Sequence, residues 1–531
     1  MRLSLALAIA LVGCEARVTE NSPPVVSEPT AGLVSDRALI RVHMSAPGQD
    51  TSIGTRYQGS LNGTHANWRV NGGATFEVDK PTTDRDPDQS FVFAAKLVEG
   101  ANALELGRCT ALDQCGWTTV SVTLKTGPGS PDPSFGGSGQ LIEPKLGRAE
   151  GVAVFADGRV LVAAEGNEPT TPKMGLIMFK PDGTKDTTWG TGGIATLTIA
   201  DARALLLPRP NGGVLAIFSR TAWAQTYVAR FDGSGKLDTA FGDPALGGEV
   251  RVFPWQGAAG GVLFDAMVDG AGHVLVAGQE RSLDRLSTPP FIQTLDFDLQ
   301  PLALAELRTG APEVGTVVAA SFDATGHAAF LLDDRITRGS ASGVDLGFGT
   351  AGRVSLPADA STVGAVVLRA DGSVVAARKV PGQLRVWWVS PTGSAASFDV
   401  PSDAPYTSTG SLPLVLEASD AGVYLATTAV LDADPVRSWI RAQEPGTQLV
   451  VYRLNDGAVD PTFGAPGRAS ASMALSWTPV ATESLFDAPG AMAIDARGSP
   501  LVVGGSTTTG AASQQSYTRR GPGTAVVRFL P

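Results

Sequence analysis

The feature that most constrains this chain is a short unit that recurs over roughly residues 131–531. Its clearest copy is Val228-Ala-Arg-Phe-Asp-Gly-Ser-Gly-Lys-Leu-Asp238-Thr-Ala-Phe241-Gly242. An alternating stretch runs into a glycine-rich turn and then into Asp-x-x-Phe-Gly. Further copies of that ending stand at Asp132–Gly136, Asp186-Thr-Thr-Trp189-Gly190, Asp345–Gly349 and Asp460–Gly464. Each unit carries three marks. The first is the Asp-x-x-Phe-Gly stretch, and the second is a turn opening an apolar strand, as in Asp157-Gly158-Arg-Val-Leu-Val-Ala. The third is a strand such as Val228–Phe231. The second mark recurs at Asn211-Gly212, Gly272, Gly326, Asp371-Gly372, Gly422 and Gly498, which makes seven units. Their spacing falls in the range of propeller blades. The fold expected is therefore all-β, a seven-bladed β-propeller, with six and eight as the bounds of the count. The first mark is worn near Leu299 and near Phe398.

The residue types have local reasons. Asp-Gly and Gly-x-Gly permit positive φ in hairpin turns, and Val/Leu runs make strands buried on both faces. The repeated Asp can accept backbone N–H bonds in an Asx turn, while Phe or Trp three residues on plugs the space between sheets. A residue present in nearly every unit belongs to the scaffold. The ends of the array add a clue to its closure. Ala525-Val-Val-Arg528-Phe529 copies the third mark with no Asp-x-x-Phe-Gly after it, and the missing half stands at Asp132–Gly136. The last blade is expected to be sewn from both, as a closed ring hides its edges.

The run Val228–Gly242 resembles the delta-60 β-propeller repeat of large secreted and surface proteins of bacteria. The resemblance spans about residues 131–531, with five good copies and two degraded ones, and implies a propeller and export. It implies no reaction and no catalytic residues.

Arg2 and the apolar Leu3–Val12 form an export signal, residues 1–13, closing on Leu11-Val12-Gly13-Cys14. That ending resembles the bacterial lipobox, which implies cleavage before Cys14 and a diacylglycerol on its thiol; an ordinary signal peptide is the rival reading. The membrane is thus reached only through an N-terminal lipid. Glu15 bears on membrane sorting, and the outer membrane is the expected address. Cys109 and Cys115 then remain in an exported protein and bracket a turn, so a disulfide is expected. Cys-x5-Cys without a nearby His is poor zinc spacing.

Residues 14–35 are polar and proline-bearing and read as a flexible tether. Residues 36–126 carry short strand-like runs, the most legible being Leu97–Leu106 and Trp117–Leu124. This hairpin resembles the closing strands of bacterial immunoglobulin-like domains, which implies a β-sandwich. Asp84, Asp86 and Asp88 form an acidic run, read as a solvated loop in preference to a Ca²⁺ site. Residues 127–531 are the propeller.

With 41 basic and 52 acidic residues the formal charge is −11, which speaks against nucleic acid as a partner. No His-x-x-x-His, Cys-x-x-Cys, phosphate loop or Gly-x-Ser-x-Gly occurs, so no enzyme, metal or cofactor is expected. His273 and His327 follow turn glycines in successive units and are expected to be exposed. Irregularity is the better guide to function. Long insertions at Gln279–Pro290, Leu431–Gln448 and Ser506–Gly523 should share one face of the ring. Trp439, Arg441, Tyr517, Arg519 and Arg520 on them are residue types that dominate binding hot spots, the rival reading being loops that carry them incidentally. The sequence thus points to a lipid-anchored envelope protein that binds a protein or glycan through its loop-rich face. The alternatives are a lyase or hydrolase acting on envelope polysaccharide, and a purely structural envelope component.

Overall fold

The computed structural model describes residues 24–29, 31–35, 39–45, 65–78, 91–109, 115–143, 146–166, 173–199, 203–220, 225–255, 260–281, 287–308, 315–357, 363–380, 383–400, 414–420, 422–430, 447–464, 467–471, 483–510 and 519–531. They divide into two compact units, before and after the bond between Lys125 and Thr126.

The first unit holds two sheets. One is three-stranded, in the order Val25–Glu28, Leu39–Ser45, Phe91–Lys96. The other is five-stranded, in the order Leu33–Ser35, Cys115–Leu124, Gly100–Cys109, His65–Val70, Phe76–Val78. Val42 and Ala95 of the first sheet share one core with Trp68, Leu104, Leu106, Val120 and Val122 of the second. Alternation explains that face: along Cys115–Leu124 the buried positions are Gly116, Val120, Val122 and Leu124, separated by water-facing residues near the strand end. The tether expected over residues 14–35 needs correction. Val25–Glu28 and Leu33–Ser35 are strands, paired with Leu39–Ser45 and, in parallel, with Cys115–Leu124. Both are short edge strands, and Pro24 and Pro29 flank the first, where proline is tolerated. Asp84, Asp86 and Asp88 lie outside the described residues.

The second unit is a β-propeller of repeated four-stranded antiparallel blades. Strands at 146–154, 160–166, 174–179 and 194–197 form the first. The next four are built at 203–252, 261–306, 317–355 and 364–400. The remaining nine strands form one sheet on paper, but a single parallel pair, Thr447↔Phe486, joins its halves. One half spans 415–471, and the other is made of 483–494, 500–510, 519–528 and 140–143. Seven four-stranded groups are thus present among the described residues, two of them with a split outermost strand. The last borrows its outermost strand from the start of the unit, Gln140–Glu143 pairing with Thr524–Val527. Its inner strands share a core with the first blade through Leu146, Val160, Leu501, Val503 and Val526, so the ring closes.

The repeat has a physical meaning that extends the Asx-turn reading. Asp132, Asp186, Asp238, Asp345 and Asp460 each accept the N–H two residues on. Four of these aspartates also hold the arginine of the third mark: Arg528, Arg230, Arg338 and Arg453, at 2.6–2.9 Å. Each guanidinium lies over the aromatic ring that follows its aspartate, at 4.5 Å for Phe135, 4.4 Å for Phe241, 4.5 Å for Phe348 and 5.3 Å for Phe463. In the first blade Met178 replaces the arginine, and Trp189 is the plug.

Blades are then clipped to one another. The N–H of Gly136, Gly190, Gly349 and Gly464 donates to a carbonyl of the next blade's turn, at Asp182, Ser234, Thr392 and Pro128. The turn glycine makes that approach possible. Gly235 has φ +79°, and a Cβ there would sit 2.5 Å from the Trp189 ring. Where the first mark is worn, the outermost strand runs for six residues, Pro301–Glu306 and Ala395–Val400, in place of the clip. Leu299 takes the turn position in the first of these, at φ +60° and buried.

Arg528–Asp132 is the copy that seals the ring, and both side chains are only 4 % exposed. Arg497 also reaches Asp132, at 3.3 Å. Removing one partner of a buried pair leaves an uncompensated charge, so Arg528→Met should cost about 3–5 kcal/mol. The equivalent Arg230→Met, whose aspartate is more exposed, should cost ~1 kcal/mol. Urea unfolding of the two variants checks the ranking.

Candidate functional site

In each blade the first strand is innermost, so residues on these strands surround the channel. An antiparallel meander puts the first-to-second and third-to-fourth connections on one face. That face carries the tight Asp-Gly turns and the clips. The strand ends flanking the second-to-third connections, including those of 431–446 and 511–518, lie on the other face.

The inner strands are apolar at most positions, and five charged residues with described side chains interact with one another across them. Arg148 and Glu150 come from the first blade, Arg203 from the second, Asp265 from the third and Glu417 from the sixth. Register gives their height. Arg203 pairs with Ser219, five residues beyond Val214, which faces the last inner residue of its blade. Asp265 pairs with Ala277, three beyond Val274, and Glu417 with Tyr424, one beyond Val423. The arginine therefore stands toward the loop-rich face and the carboxyls deeper. At Asp265's level the other meanders place Gly151, Leu205, Ala319, Ala365, Val415 and Ala491. At the level of Glu417 they place Ala153, Leu207, Met267, Ser321, Val367 and Ala493. These two carboxyls break the repeat.

Asp265 is held in place: its Oδ1 accepts from the Ala266 N–H and its Oδ2 from the Phe322 N–H of the next blade, both at 2.8 Å. Arg148 Nε stands 3.3 Å from Glu150. A bulge at Glu150, between Ala149 and Gly151, takes that residue out of the ladder. Enclosure by the ring pushes the Glu417 carboxyl up to about 8, the charge of Asp265 adding to the rise and Arg203 opposing it. The same enclosure pushes Asp265 up to about 6, against its two backbone donors and Arg203. Glu150 is raised by enclosure too, with Arg148 and Arg203 opposing and Glu165 adding. All three keep some contact with water, so the penalty comes from protein walls around a narrow space. The third and sixth blades share no core cluster, so Asp265 and Glu417 meet only across the channel. Two carboxyls that ionise at different pH, beside guanidinium groups, can serve binding or acid–base chemistry.

The residues singled out by sequence lie elsewhere. Cys14, Trp439, Arg441 and Tyr517 are outside the described residues. Arg519 and Arg520 belong to the strand Arg519–Arg528, paired with Thr508 and Thr507. The insertion at 506–523 is therefore strand at both flanks, because its Thr-rich arm Ser506–Gly510 suits a ladder. Cys109 and Cys115 are disulfide-bonded across their hairpin. His273 and His327 occupy equivalent, part-exposed turns, with the Nδ1 of each ring beside Asp269 Oδ2 and Thr325 Oγ1. Among the described residues no His/Cys/Asp/Glu group has metal-holding geometry. No motif marks Arg148, Glu150, Arg203, Asp265 or Glu417; the available signal was a lone charge in an otherwise apolar inner strand.

No protein-family model matches the chain, and no curated protein matches it. Solved structures similar to it include a quinonprotein alcohol dehydrogenase-like protein from Bacteroides thetaiotaomicron, at 12 % identity and a TM-score of 0.33, covering 96 % of this chain and 98 % of that one. The β-propeller domain of the Trilobed protease from Pyrococcus furiosus is similar at 7 % identity and a TM-score of 0.35, over 72 % and 98 %. A PL25 ulvan lyase is similar at 12 % identity and a TM-score of 0.39, over 70 % and 96 %. Likeness at this level bears on neither reaction nor ligand.

Glu417 gives a pH signature. The folded protein keeps it protonated where the unfolded chain ionises it, so stability falls as pH rises from about 4.5 to about 8 and then levels. One such proton sets a slope of at most about 1.4 kcal/mol per pH unit. Glu417→Gln should remove this contribution, so its stability relative to the native protein should increase across that window in urea titrations.

Proposed function

We propose that this chain is a lipid-anchored cell-envelope recognition protein without catalytic activity. A closed seven-bladed ring of delta-60-type repeats follows an immunoglobulin-like spacer in the chain and binds a protein or glycan through its loop-rich face. The observation that carries this reading is topological. The strand ends that flank the second-to-third connections lie on one face, and by sequence Trp439, Arg441 and Tyr517 belong to two of those connections, with Arg519 and Arg520 on the strand that follows one of them. The opposite face is occupied by repeating turns and clips, which vary little and suit scaffold. The Cys109–Cys115 disulfide accords with an oxidising compartment, and the net charge of −11 with a partner other than nucleic acid.

The anchor and the face are tested separately. Cys14→Ser should move the protein from the membrane fraction to the soluble fraction; continued membrane partition would remove the lipid from the account. Trp439→Ala, Arg519→Ala and Arg520→Ala combined should weaken capture of envelope components by at least about tenfold, a loss typical of hot-spot removal, with an unchanged circular dichroism spectrum. Capture equal to that of the native protein would sink the loop-face proposal. The split carboxyls Asp265 and Glu417 favour a second reading, an enzyme acting on envelope polysaccharide. New sugar ends appearing in the captured glycan would support it in place of the first.

A further inference from the structure

We infer that the channel is a ligand site in its own right, for a zwitterion whose carboxylate meets Arg203 and Arg148 and whose primary ammonium meets Asp265, above Glu417. The inference stands on the order of charges along the channel. Arg203 is at the loop-facing start of its inner strand, and Asp265 sits two residues deeper by register. At ~3.3 Å per residue this is about 7 Å along the channel. Glu417 lies two further residues down, on the other side of the ring. A ligand that places a carboxylate and an ammonium about 7 Å apart therefore matches both ends, with charge-assisted hydrogen bonds at each.

The groups have no repeat-wide duty that would account for them. Asp265 and Glu417 stand where the other blades carry small or apolar residues. Asp265 is oriented by two fixed backbone donors and still has lone pairs to offer an ammonium. A singly charged ligand suits the channel poorly. An anion alone would face Glu150, Asp265 and Glu417 behind the arginines, and a cation alone would have to pass Arg203 and Arg148 at the mouth.

The test uses the full chain and 6-aminohexanoate as probe, with hexanoate and hexylamine as controls, read by titration calorimetry. The probe should bind saturably and at least about tenfold more tightly than either control, since each end adds its own contact. Arg203→Met and Glu417→Gln should each weaken it by about tenfold or more while melting cooperatively. Equal affinity for all three compounds, or no saturable binding of the probe, would overturn the inference. The Trp439/Arg519/Arg520 triple variant should bind the probe as the native protein does. Loss of binding in that variant, with Glu417→Gln unaffected, would place the ligand on the loops and remove it from the channel.

Discussion

The propeller depends on a single recurring contact, an arginine held between an aspartate and an aromatic ring. Arg230 shows its parts: the guanidinium pairs with Asp238 at 2.8 Å and covers Phe241 at 4.4 Å. The aspartate also turns the chain, and in three of the four copies the residue after the ring, Gly136, Gly349 or Gly464, reaches the neighbouring blade. One side chain thereby ties strand, turn and plug together, and the clip transmits that order to the next sheet. The energy of any single exposed copy is small. Its value is geometric, because each copy fixes where the outermost strand of its blade begins.

The contact explains which parts of the fold could be read in advance. Asp-x-x-Phe-Gly and Val-x-Arg are short, local and repeated, so they announce themselves in sequence. The completion of the last blade by Asp132–Gly136 and Ala525–Phe529 was legible for the same reason. Val25–Glu28 and Leu33–Ser35 were not. Each is an edge piece of three or four residues whose pairing is set by partners further along the chain, and a proline-bearing stretch resembles a linker. The bond between repeat units was only half legible: the aspartate and the aromatic were assigned their roles, but the arginine's part needs three dimensions.

The candidate channel site was the least legible. Its members are single charges on five scattered segments, with no spacing rule between them. Glu417 in Val415–Ser419 looks like the polar position of an ordinary alternating strand. Closure alone places it across from Asp265. The loop residues chosen by composition, by contrast, are chosen for chemistry without position, and Arg519 and Arg520 turn out to stand on a strand that belongs to the ladder. Sequence names the scaffold by repetition and names a site by exception, and exceptions carry meaning once the ring has given them neighbours.

The strand borrowed from residues 140–143 also sets a schedule. A chain made from its N-terminus presents Gln140–Glu143 early, while their partners Thr524–Val527 arrive last. Six blades must wait with one edge open, and the longest loop in the molecule closes at the final step. Until then the buried Asp132 lacks Arg528, and the ring cannot be mistaken for finished. Maturation is therefore all-or-none: a truncated or stalled product would expose a raw sheet edge, the kind of surface that proteases and chaperones recognise.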